Sequence, residues 1–143
     1  MDTTYLYYNV KVSSKMVRSC KRGGTGVMCC RIDRPAKHIQ DATYKVTFSF
    51  CSPKDNFSRK EAHIKLAERM NSDKYVTIKL REKKPLREVM FYAMRKFLRG
   101  EGPSLSLKDD KTGIPQWLWS NVAFDSDGRP QYVQALPRQY KRV

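Results

Sequence analysis

The chain has 143 residues, of which 29 are Lys or Arg and 14 are Asp or Glu, a formal charge of +15. That length suits one domain with a real core, and 40% hydrophobic with 11% aromatic residues argues against wholesale disorder. No run of about 18 apolar residues is present, which excludes a transmembrane helix, and an excess of positive charge that folding does not need points to a polyanionic partner.

Residues 3–12 alternate, with Leu6, Tyr8, Val10 and Val12 on one face and Tyr5, Tyr7, Asn9 and Lys11 on the other, as in a strand. The N-terminus Met1-Asp2-Thr3-Thr4-Tyr5 has no basic region followed by an apolar one, so no signal peptide is expected and the cytoplasm is the expected compartment. Residues 13–25 bring Lys15, Arg18, Lys21 and Arg22 together with Gly23, Gly24 and Gly26, a basic loop lacking the spacing of a phosphate-binding P-loop. Val27 to Ile32 reads as a second strand, stopped at Arg34-Pro35 because proline removes a ladder donor. In the third strand, Thr43 to Cys51, Tyr44, Val46, Phe48 and Phe50 face one way, and Thr43, Lys45, Thr47 and Ser49 the other.

Turn residues Ser52-Pro53-Lys54-Asp55-Asn56 precede a helix start, where Ser58 and Glu61 have the spacing of a capping box. Ala62, Leu66, Ala67 and Met70 supply its apolar stripe, and Asn71-Ser72-Asp73 ends it. Tyr75 to Leu80 returns to strand alternation. Pro85 is expected as the first residue of a second helix, with Leu86, Val89, Met90, Ala93, Met94 and Phe97 on its buried face and Gly100 as its stop. Val122 to Phe124 and Tyr132 to Leu136 suit a hairpin around Asp125-Ser126-Asp127-Gly128. The predicted order β-β-β-α-β-α-β-β is α+β: a mainly antiparallel sheet of about five to six strands with two helices. Residues 1–136 make a single domain in this reading and residues 137–143 a basic C-terminal tail.

Positive charge falls in three clusters. Residues 13–38 hold seven basic side chains against one acid, residues 81–99 seven against two, and residues 129–143 four against none. Three clusters in one small domain favour nucleic acid over a merely solvated surface, and Lys and Arg grip phosphates by long-range attraction and direct hydrogen bonds. Aromatic side chains on an open sheet face would stack unpaired bases. Tyr5 and Tyr7, which share a face with Asn9 and Lys11, are the expected exposed pair, whereas Phe48 and Phe50 are expected in the core. The residues expected to bind nucleic acid are therefore Lys15, Arg18, Lys21, Arg22, Lys83, Lys84 and Arg87, with Tyr5 and Tyr7 for stacking. Single-stranded DNA is favoured over RNA or duplex.

Other chemistries have less support. Cys20, Cys29, Cys30 and Cys51 contain no C-x-x-C pair, and with His38 and His63 they match no standard zinc spacing. Glu61 with Lys65, or Asp109 with Asp110, supplies too few carboxylates for a metal-dependent nuclease. No cofactor or catalytic residue is expected, and the chain reads as non-enzymatic. Trp117-Leu118-Trp119 is the natural anchor for the competing reading, a module docking on an acidic protein or a component of a nucleoprotein assembly.

The segment Phe50-Cys51-Ser52-Pro53-Lys54-Asp55-Asn56-Phe57-Ser58-Arg59-Lys60, running on through Ala67 to Arg69, resembles a stretch in small basic proteins encoded by bacteriophages. Those proteins carry S-P-K-D-x-F-S-[RK]-K before a helix ending in A-x-x-R, often with a glycine opening the helix where this chain has Ala62-His63. The resemblance covers about 20 residues. It implies a phage accessory protein acting on DNA in replication or transcription, with a polymerase as a possible protein partner, and it carries over no catalytic residue.

Overall fold

The computed structural model describes residues 2–10, 26–35, 41–53, 55–103, 115, 123–124 and 130–131. Four antiparallel strands form the central sheet in sequence order: β1 (Asp2–Val10), β2 (Gly26–Arg34), β3 (Ala42–Cys51) and β4 (Val76–Leu80). Helix α1 (Arg59–Asn71) lies between β3 and β4, and α2 (Leu86–Leu98) follows β4. A separate antiparallel pair joins β5 (Ala123–Phe124) to β6 (Pro130–Gln131). The fold is α+β and antiparallel as the sequence implied. Among the described residues, however, the expected single sheet of five to six strands is a sheet of four plus a two-residue pair. The second hairpin strand falls at Pro130–Gln131; its expected place at residues 132–136 lies outside the described residues, as do the basic loop 13–25, with Lys11 and Val12 before it, and the tail 137–143.

The helices cover opposite faces of the sheet. The α2 face buries the larger core, in which Val10, Met28, Cys30, Ile32, Tyr44, Val46 and Phe48 meet Val89, Met90, Ala93, Met94 and Phe97. The α1 face buries Val27, Cys29, Ala62 and Leu66, with Tyr5, Tyr7 and Cys51 half-buried around them. Strand β2 is thus enclosed on both sides. Its unbroken run Val27-Met28-Cys29-Cys30 is apolar for that reason, since a strand with one wet face would alternate. Cys29 and Cys30 point to opposite faces, each into a different core.

Both helices are set by local chemistry. The Ser58 side chain accepts from the Glu61 backbone N–H at 3.3 Å, capping α1 as the S-x-x-E spacing predicts. Pro85 is the cap of α2 rather than its first helical residue, one position from expectation. Both helices end in Schellman motifs. After α2, Glu101 N–H bonds Lys96 C=O (2.9 Å) and Gly100 N–H bonds Phe97 C=O (3.1 Å), with Gly100 at φ +71°. After α1, Lys74 N–H bonds Arg69 C=O (2.7 Å) and Asp73 takes the left-handed position at φ +59°. An aspartate there bears a steric cost that glycine avoids. Asp73→Gly is expected to stabilise the protein by about 0.5–1 kcal/mol, measured as a rise in urea midpoint at constant m-value; a fall would mean the Asp73 side chain contributes more than its backbone costs.

Strand β4 pairs with β3 only from Ala42 to Val46, which leaves the rest of that β3 edge without a strand partner among the described residues. Hydrogen bonds with the α1 end take up part of this edge. Arg69 Nη1 donates to Phe48 C=O (2.6 Å), and Thr47 Oγ1 donates to Lys74 C=O (2.6 Å). Burial lowers the pKa of the Arg69 guanidinium from its usual value.

Candidate nucleic-acid interface

Alternation assigns Tyr5, Tyr7, Arg31, Asp33, Thr43, Lys45, Thr47, Tyr75, Thr77 and Lys79 to the α1 side of the sheet. Helix α1 covers only the Cys51 end of this face. Over Tyr5 and Tyr7 it places its own side chains. The His63 ring stacks on Tyr5 with centroids 3.8 Å apart and planes 13° apart. The Tyr7 hydroxyl shares a hydrogen bond with His63 Nε2, the Arg59 guanidinium sits 4.7 Å over the Tyr7 ring, and Phe57 meets it edge-on at 5.8 Å. Burial raises the Tyr7 pKa, opposed by the charge of Arg59. The expected exposed stacking pair is therefore half-buried and already in ring contact: α1, which follows β1 by some fifty residues, supplies in His63 a ring where a nucleobase was expected.

The opposite end of the face carries no described helix. Thr43, Thr77 and Lys79 are exposed there, and Lys45 and Tyr75 half-buried. Thr43 pairs across the ladder with Lys79, and Lys45 with Thr77. The Lys45 ammonium lies 5.1 Å from the centre of the Tyr75 ring. Neither Lys45 nor Lys79 forms an ion pair with a described carboxylate. The nearest acid in register is Asp33, held by Arg31 (Nε to Oδ1 3.1 Å, Nη2 to Oδ2 3.2 Å) and by the Thr3 hydroxyl (2.8 Å). With its charge matched by Arg31, Asp33 leaves the lysine charge uncompensated. The result is a flat surface of two lysines, two threonine hydroxyls and one tyrosine ring.

The residues expected to bind nucleic acid do not gather in one place. Lys83 is exposed and Lys84 half-buried in the connection leaving β4, four and five residues beyond Lys79 on the chain. Arg87 goes to the other side of the sheet, where it lies 5.7 Å over the Tyr8 ring beneath α2. Tyr5 and Tyr7 are under α1, and Lys15, Arg18, Lys21 and Arg22 lie outside the described residues. Lys45 and Lys79 belong to none of the three charge clusters, so a count of charge along the chain passes over them. Their signal was the alternation itself: Thr43-x-Lys45 and Thr77-x-Lys79 are the polar phases of two strands that pair with each other.

The described thiols form no metal site and are weak nucleophiles near neutral pH. Among the described residues, no three Cys, His, Asp or Glu side chains are grouped as a metal ion requires. Cys29, Cys30 and Cys51 are free, and burial first, then neighbouring charge, pushes all three pKa values up, Cys29 from 9.0 to about 12. A thiol that stays protonated in the folded state stabilises folding fully below pH 9.0 and progressively less as pH rises through about 12, because the unfolded chain releases its proton first. The melting temperature is expected to fall across that window and to fall less in Cys29→Ala, as read by thermal unfolding at stepped pH. Identical slopes in the two proteins would show that Cys29 does not carry the effect.

No described helix is long and apolar enough to cross a membrane. No protein-family model matches the chain, and no curated protein and no solved structure gives a significant match.

Proposed function

We propose that this chain binds nucleic acid without catalysing a reaction on it, and that single-stranded DNA is its preferred form. The observation that carries the reading is the half of the sheet that no described helix covers, where Lys45 and Lys79 stand with no described acidic partner and Lys45 lies over the Tyr75 ring, in a chain of charge +15. Ammonium groups on a flat surface grip the sugar–phosphate backbone, threonine hydroxyls add phosphate hydrogen bonds, and a tyrosine ring stacks an unpaired base. Duplex DNA buries its base faces and offers Tyr75 nothing to stack on, which favours a single strand. The bacteriophage resemblance supports an accessory role in replication or transcription, alongside a polymerase.

The test is a salt-titrated comparison of labelled single-stranded DNA, duplex DNA and RNA. Binding should favour the single strand, with log K falling against log salt by about 0.7 per neutralised phosphate. Absence of binding to every form at low salt would overturn the reading.

A second reading, a protein-docking module, draws on Phe57 and Ile64, which are 37% and 50% exposed on and just before α1. Its sequence-predicted anchor, Trp117-Leu118-Trp119, lies outside the described residues. A complex that survives nuclease treatment would favour it.

A further inference from the structure

Where β3 hands over to α1 lies a half-open cavity of about 260 Å³, lined among others by Ser49, Cys51, Asp55, Phe57, Glu61 and Lys65. The volume lies below the roughly 300–1,000 Å³ of pockets for drug-sized ligands. Phe50, Phe57, Ala62 and Cys29 give it apolar walls. Ser49 is only 3% exposed as a residue and borders the cavity with its polar side chain.

Charge decides the class of ligand. In a strongly basic chain, the described lining of this cavity holds two carboxylates, Asp55 and Glu61, against one ammonium, Lys65. The thiols stay protonated and add no charge. Phosphate is therefore repelled, whereas a flat group that donates hydrogen bonds along one edge and accepts along the adjoining one is matched. Among the bases, guanine alone has that pattern: N1–H and N2–H2 are adjacent donors suited to one carboxylate, and O6 and N7 are acceptors suited to an ammonium and a hydroxyl. Thymine offers a single donor between two carbonyls, and adenine and cytosine each present a ring acceptor beside their amino group, which a carboxylate repels.

We propose that this cavity receives an unpaired guanine base, with Glu61 accepting from N1–H and N2–H2, Lys65 donating to O6, and Phe57 at the rim. The inference rests on the nucleic-acid reading and adds a base preference to it. Backbone contacts on the open sheet half supply affinity without sequence, and the cavity supplies discrimination.

The experiment measures the full-length chain against a labelled 12-mer thymidine tract and against the same tract with one central guanine, adenine or cytosine. The guanine oligonucleotide should bind about tenfold tighter than the thymidine tract, as one bidentate pair provides, with adenine and cytosine close to thymidine. Glu61→Gln should abolish the preference and leave thymidine-tract binding unchanged, because glutamine keeps the capping role at this position but turns half of the acceptor pair into a donor. As a readout on the unmutated protein, the guanine oligonucleotide should slow alkylation of Cys51 and the thymidine tract should not. Equal binding of all four oligonucleotides, a preference that survives Glu61→Gln, or unprotected Cys51 overturns the guanine site while leaving the backbone-binding reading in place. Failure of the thymidine tract itself to bind overturns both.

Discussion

Phe48→Ala is expected to lower the free energy of unfolding by about 3–5 kcal/mol, a large part of the roughly 5–15 kcal/mol that holds a domain of this size together. Phe48 is fully buried at the centre of β3. It packs edge-on against Phe97 of α2, with ring centroids 5.6 Å apart and planes 87° apart, and face to face with Phe50 at 6.1 Å. Removing it deletes the transfer energy of an aromatic ring, the two ring contacts and the filling of a site walled by a strand and a helix that cannot collapse fully. Its carbonyl also receives Arg69, so the core on one face and the edge contact on the other meet at one residue. Urea unfolding is the measurement: the midpoint should drop sharply at constant m-value. Ile64→Ala, at a side chain 50% exposed on α1, should stay within about 0.5 kcal/mol of the parent. Equal effects at the two positions would contradict the core described for the α2 face.

Much of this architecture can be read from local sequence, because local chemistry specifies it. Ser58 and Glu61 announce α1, the Leu86-to-Phe97 stripe announces α2, and Gly100 ends it where φ turns positive. Strand phases are equally legible: Phe48 is in the core, and the polar phase of β3 is where alternation puts it. What local pattern does not encode is which phase each helix covers, and how far along. Tyr5 and Tyr7 have the neighbours of a wet face, Asn9 and Lys11, yet His63 and Arg59 of a distant helix, and Phe57 just before it, close over them. The unbroken apolar run of β2 carried the missing information, since it requires cover on both sides of the sheet. The candidate interface was obscured for the same reason. Lys45 and Lys79 are more than thirty residues apart and lie in no dense charge run; they become neighbours only through the β3–β4 register. Arg87, which does lie in such a run, is carried to the far side by α2.

That separation gives the most discriminating experiment on function. Lys45→Glu combined with Lys79→Glu should weaken single-stranded DNA binding by at least about tenfold at low salt and reduce the salt slope by about 1.4, two contacts at about 0.7 each. Both positions lie on strand faces outside the buried cores, so the folded state should survive, as circular dichroism would show. The matched control is Arg87→Glu with Arg95→Glu, which removes the same charge from the α2 side. If binding follows the uncovered half of the sheet, the control loses only a long-range contribution, screened beyond a Debye length of about 8–10 Å in physiological salt. Tyr75→Leu separates gripping from stacking: it keeps an apolar side chain but removes the ring, and should cost about 1–3 kcal/mol on single strands with little change on duplex. Equal losses in the two charge-reversal pairs would mean that the net +15 attracts DNA without a defined surface, and that Lys45 and Lys79 are two cations among many.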